Sequence, residues 1–281
     1  VPELPEVEVV RRGLDTHVVG GRFISVEVSH PRATRGQGQP IEELLEDRTI
    51  TGTGRRGKYL WLNLDDGNAL YVHLGMSGQM LVGAVGECTA VHTRIRAQLD
   101  FSGQVRELAF VDQRTFGQWL VCPLIDGVPT PVAHVAPDPF DAEFDIVEAA
   151  RSIRRRRSSI KTVLLNQTVV SGIGNIYADE ALWQARISPF RPAHSLRQKD
   201  AVGLLEAARQ VMTRALEAGG TSFDSLYVNV NGASGYFSRS LNAYGQTGAP
   251  CARCGEAIAR AVIQNRSAHY CPRCQSRSHR S

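Results

Sequence analysis

The chain is sparing with aromatic residues, which supply 7% of its 281 positions, and it holds 3 Met, 3 Trp and 6 Cys. No apolar run comes near the roughly 20 residues that cross a bilayer, so no transmembrane helix is expected. Glu3, Glu6 and Glu8 precede any apolar stretch. That is the reverse of a secretory signal, and the expected compartment is the cytoplasm. Internal repeats are absent too. Acid is missing from 151–161, RSIRRRRSSIK, which carries six basic groups, and scarce in 251–281, with six Arg against one Glu. The net charge is +4, so the rest of the chain is acidic. Two basic segments on an acidic body point to a polyanionic partner, with phosphates as the target.

Hydrophobic periodicity divides the chain. Val7, Val10, Leu14 and Val18 recur at helical spacing, predicting a helix over 5–18 with Pro5 in its first turn. Beyond Gly20 the period becomes 2. KYLWLNL and ALYVHL flank the turn DDGN, and RIRAQLDF alternates Ile95, Ala97, Leu99 and Phe101 on one face. Short strands joined by such turns predict a sandwich or barrel over about 1–130. PTPVAHVAPDP, 129–139, reads as a linker. Helices are predicted over 143–151, 158–170, 175–185 and 197–218, the last closed by Gly219-Gly220.

Four cysteines stand as Cys251-Ala-Arg-Cys254 and Cys271-Pro-Arg-Cys274, sixteen residues apart. Paired knuckles at this spacing predict one four-thiolate zinc site. Its role is structural, since four protein ligands leave no position for substrate, and the segment is too small to own a core. Cys88 and Cys122 read as small hydrophobes. Arg266 lies between the knuckles, placed to hold a phosphate or simply facing solvent. SGIGNIYADEAL sets Gly172 and Gly174 before a helix opening at Asn175. The free N–H groups of that helix start suit an anion, though an ordinary turn has the same pattern. Tyr177 and Trp183 read as core.

PELPEVE at the start, HLGMSG at 73–78, GIGNIYADEAL and the paired cysteines follow in order along the chain. Together they resemble the bacterial formamidopyrimidine-DNA glycosylases of the Fpg/Nei family, over residues 2 to about 275. The resemblance implies a multidomain α+β fold. Residues 1–130 would be a catalytic β-sandwich with flanking helices and 131–225 a helix-two-turn-helix DNA-binding domain. Residues 226–281 would be a lesion-capping loop and zinc β-hairpin finger, with damaged duplex DNA held in the cleft between domains. No cofactor beyond one structural zinc is implied, and one active site per chain needs no second copy.

The resemblance also implies residue roles. Pro2 matches the N-terminal nucleophile, whose secondary amine attacks C1′ of the deoxyribose. Val1 is then expected to be an initiator that is removed, because a retained Val1 would turn the Pro2 nitrogen into an amide. Glu3 matches the acid that protonates the sugar ring oxygen, and Glu6 a proton shuttle or structural partner at the helix start. Lys58 matches the hairpin lysine that reaches the lesion phosphate, and is a rival nucleophile. Arg266 matches the phosphate clamp that aids δ-elimination. His92, Arg114, Arg156 and Asn175 match DNA contacts. Met76, Arg114 and Phe116 match the residues that fill the hole left by an extruded base.

Departures from the family pattern bear on lesion preference. Gln113 and Thr115 interrupt the usual D-P-R-R-F-G as DQRTFG, Asn166 replaces an Asp, and YVNVNGASGYF at 227–237 differs from the usual version. The expected activity is excision of oxidised purines, 8-oxoguanine and formamidopyrimidines, followed by β,δ-elimination. Its rivals are the sister activity on oxidised pyrimidines, whose branch usually begins P-E-G-P-E, and a non-catalytic damage-binding protein, which would have lost Pro2, Glu3 or Lys58.

Overall fold

Two sheets share the hydrophobic core of the first half of the chain. A computed structural model describes residues 2–219 and 240–276. Val1 and the 227–237 stretch singled out above lie outside them. The described chain forms two compact units, residues 2–134 with 218–219 and residues 135–217 with 240–276.

In the first unit, helix α1 (Leu4–Val18) precedes strand β1 (Arg22–Val28), the short helix α2 (Ile41–Leu45), and strands β2 (Ile50–Arg56), β3 (Tyr59–Leu64), β4 (Asn68–His73) and β5 (Gln79–Ala84). Then come β6 (Thr93–Phe101), β7 (Gln104–Val111), β8 (Gln118–Ile125) and β9 (Val128–Pro129). One sheet has the order β1-β6-β7-β5 and the other β2-β3-β4-β8-β9. The alternation read in the sequence is the core pattern: Leu60, Leu62 and Leu64 from β3 meet Ile95, Ala97 and Leu99 from β6. Val7, Val10, Leu14 and Val18 of α1 join the same cluster.

In the second unit, helices α3 (Ile146–Arg154), α4 (Ile160–Leu164), α5 (Asn175–Ala185) and α6 (Gln198–Glu217) precede the hairpin of β10 (Ala259–Ile263) and β11 (Arg266–Tyr270). α6 buries Leu204, Leu205, Ala208, Val211 and Met212, the face its spacing predicts. The helix predicted over 158–170 stops at Leu164. Asn166 ends it, because its Oδ1 accepts from both the backbone N–H and the hydroxyl of Thr168 in a turn that competes with the helical ladder. Gln167 completes the turn, donating to the carbonyls of Leu165 and Ile173 and accepting the Gly172 N–H. The 129–139 stretch is packed rather than loose, with Val132, Val135 and Asp138 buried.

Candidate active site and nucleic-acid surface

The start of α1 is built from three residues that the sequence placed together. Glu3 is its N-cap and Pro5 lies in the first turn, where a missing N–H costs nothing. Glu6 folds back as the other half of a capping box, its Oε2 accepting the Glu3 N–H at 2.9 Å. Pro2, Glu3 and Glu6 are all buried. This gives the Glu6 carboxylate a bracing task at the helix start.

Glu8, one turn further on, was not singled out from the sequence. It takes Arg11, Arg12 and Arg55 on its two oxygens at 2.9–3.0 Å. Burial pushes its carboxyl up, but hydrogen bonds and charge from Arg11 and Arg55 outweigh this and hold it at about 2. Arg55 then donates to the Gly57 carbonyl at 2.9 Å. Gly57 and Lys58 form the two-residue turn between β2 and β3, with Gly57 at φ 58, a position where a primed turn requires glycine. α1 and the Lys58 turn are therefore joined through Glu8 and Arg55. Beside that turn, the His73 imidazole stacks on Tyr59 at 5.5 Å and on Tyr71 at 6.4 Å. Burial, aided by the Arg35 cation, lowers its pKa and favours the neutral ring. Its signal in the sequence is its place at the head of HLGMSG.

Met76, Arg114 and Phe116 occupy two loops that touch. The Arg114 Nη1 lies 3.6 Å from the Met76 Sδ, and Phe116 is 46% exposed. His92 sits on a third loop tied to these, since its carbonyl accepts the Asp112 N–H at 2.9 Å.

In the second unit, Asn175 opens α5 behind the N-cap Gly174. Its Nδ2 donates to the Ser267 Oγ at 3.2 Å, next to Arg266. Arg266 is exposed at the start of β11, after a turn in which Gln264 and Asn265 both have positive φ. Beneath them Lys161, fully buried, gives Asp179 a 2.6 Å ion pair. Asp179 Oδ2 also accepts the His269 N–H at 2.9 Å. The arginine run is not uniform. Arg151 and Arg155 pair with Glu148, Arg154 caps the Leu196 carbonyl, and Arg156 and Arg157 stay exposed.

The Sγ atoms of Cys251, Cys254, Cys271 and Cys274 lie within 4.8 Å of one another. Zn–S bonds of about 2.3 Å in a tetrahedron put sulfurs roughly 3.8 Å apart, so this cluster fits the ion. Trp183 donates its indole N–H to the Cys251 Sγ at 3.4 Å, and the Arg253 guanidinium lies 3.7 Å over its ring. The second coordination layer is thus supplied by α5. Cys88 and Cys122 are buried, and burial pushes both thiols up.

Family models agree with this geometry. Residues 1–119 match the formamidopyrimidine-DNA glycosylase N-terminal domain, 135–226 its H2TH domain, and 248–277 the zinc finger found in FPG and IleRS. The chain belongs to the formamidopyrimidine-DNA glycosylase family. As a member it is a DNA glycosylase with one structural zinc. A formamidopyrimidine-DNA glycosylase of Corynebacterium urealyticum is 56% identical over 288 residues, covering 98% of this chain and all of that one. A Mycolicibacterium gilvum relative of the same name is 57% identical, covering 99% of each chain. Among solved structures, MutM (Fpg) from Thermus thermophilus superposes with TM-score 0.85 at 36% identity, covering 99% of this chain and all of that one. A variant of Lactococcus lactis FPG in complex with Fapy-dG containing DNA gives 0.87 at 32%, covering 98% of this chain and all of that one. Among the described residues, no helix is long and apolar enough to cross a membrane.

Proposed function

We propose that this glycosylase excises oxidised purines from duplex DNA and then cleaves the strand, using Pro2 as nucleophile. The observation that carries the reading is the construction of the α1 start. Pro2 and Glu3 are buried side by side, and the Glu6 carboxylate fixes the Glu3 backbone.

With Val1 removed, the Pro2 nitrogen is a secondary amine. Its lone pair attacks C1′, the damaged base departs with the glycosidic electrons and takes up the proline N–H proton, and Glu3 protonates the ring oxygen as the bond from C1′ to that oxygen breaks. The resulting iminium keeps its positive charge without a proton. It acidifies C2′, so the 3′ phosphate leaves by β-elimination and the 5′ phosphate by δ-elimination, ending in a one-nucleotide gap. Lys58, held to α1 by the Glu8–Arg55–Gly57 connection, serves the lesion phosphate. Asn175 and Arg266, joined through Ser267, hold backbone phosphates, and His92 and Arg156 add contacts. Met76, Arg114 and Phe116 fill the vacated stack. The zinc holds the hairpin that carries Arg266 and takes no part in the chemistry.

The test is borohydride trapping on duplex DNA with one 8-oxoguanine opposite cytosine, followed by mapping of the cross-linked peptide. An adduct on Pro2 in protein lacking Val1 is expected. An adduct on Lys58, or tight lesion binding with no adduct, would overturn the proposal.

A further inference from the structure

Asp112, fully buried at the end of β7, uses every polar atom it has, and its partners lie on three different loops and on strand β6. Its N–H donates to the His92 carbonyl at 2.9 Å, and its own carbonyl accepts from Arg94 Nε at 2.8 Å. The carboxylate Oδ1 accepts from the Ser77 hydroxyl at 2.6 Å and the Arg114 N–H at 3.2 Å. Oδ2 accepts the Gly117 N–H at 2.7 Å. Ser77, also buried, accepts the Arg114 N–H at 3.1 Å. Met76, Arg114 and Phe116 are each thus bonded to this centre directly or chain neighbours of a residue that is.

Two further contacts close the arrangement. A Cβ on Gly75 would lie 2.6 Å from the Gly117 nitrogen, so the two loops meet backbone to backbone. From the solvent side, Arg35 donates to the carbonyls of Phe116 at 2.7 Å and Gly117 at 2.9 Å. Thr115, between Arg114 and Phe116, is held at φ 54. A β-branched residue adopts that conformation only where its surroundings over-determine it.

We infer that Asp112, acting through Ser77 and seconded by Arg35, is a positioning residue that makes Met76, Arg114 and Phe116 one rigid wedge. The inference rests on the reading that these three side chains fill the hole left by the extruded base. Its physical content is preorganisation. Two independent loops would each lose conformational freedom on entering the stack, while a pre-assembled wedge has already lost it.

The test is single-turnover excision of 8-oxoguanine opposite cytosine, with the active fraction set by borohydride trapping on abasic DNA. Ser77→Ala removes the bridge between loops, and Arg35→Met approaches from the opposite side should the first variant fold poorly. Each is measured alone and in a Met76→Ala/Phe116→Ala background. If they act through the wedge, each lowers the rate about tenfold alone and less than about twofold in that background. Equal losses in both backgrounds, or no loss in the otherwise unaltered protein, would overturn the inference and leave a purely structural cluster. A Met76→Ala/Phe116→Ala enzyme as fast as the parent would instead remove the wedge reading itself.

Discussion

The Glu8 carboxylate on α1 lies 2.9 Å from the Arg55 Nε on β2, and Arg55 reaches on to the carbonyl of Gly57. The helix that follows Pro2 and Glu3 is thereby tied to the turn that presents Lys58. The two residues stand 47 positions apart in the chain, yet the pair fixes the Lys58 turn against α1.

This pair makes stability sensitive to acid. The folded pKa of Glu8, about 2, lies below its ordinary value of 4.5. Its contribution is therefore fully present above pH 4.5 and is lost as pH falls toward 2. Allowing for partial exposure, roughly 1–2 kcal/mol is at stake. Urea unfolding between about pH 6 and pH 2.5 should show this loss, and Glu8→Gln should flatten that part of the profile.

Glu3→Gln keeps the shape of the side chain but gives up its transferable proton. Base excision should fall about 10²–10⁴-fold. Cleavage of a pre-formed abasic site should fall far less, since its sugar already exchanges with the ring-opened aldehyde and needs no acid at the ring oxygen. Parallel single-turnover assays on the two substrates read the difference.

Removing Asp179 leaves the Lys161 ammonium buried without its carboxylate. Asp179→Ala should cost about 3–5 kcal/mol, seen as a lower urea midpoint. The same change frees the His269 N–H and loosens β11 beneath Arg266, so DNA affinity should drop with it.

Stripping the zinc with a chelator should be visible through one tryptophan. Trp61 and Trp119 are buried in the first unit, whereas Trp183 bonds the Cys251 sulfur. Emission should shift to the red on chelation and return with added zinc, and duplex binding should be lost and regained in step. An unchanged spectrum with lost binding would place the zinc effect elsewhere.

Much of the site was legible as local pattern. The capping role of the first residues follows from Glu3, Pro5 and Glu6 lying within one turn. The zinc site follows from two knuckles that each offer two sulfurs to one ion. What could not be read were the partners. Glu8 among three glutamates, Arg55 beside Arg56, and Asp112 ahead of an irregular loop look like ordinary charged residues, because their partners lie on other strands and loops. The end of α4 was misplaced for a related reason, since Asn166 and Gln167 spend their side chains on turn backbone, which hydrophobic periodicity does not register.

The elements and the four-thiolate site are legible in the sequence because each rests on spacing within a short segment, period 2, period 3.6 or Cys-x-x-Cys, and the family is legible as a resemblance carried by four motifs in order along the chain. Tertiary structure alone decided which charges are buried against each other and which loops are bonded into one unit. Those depend on contacts between residues far apart in the chain, and Coulomb and hydrogen-bond energies are set by distance in space, to which order along the chain gives no guide.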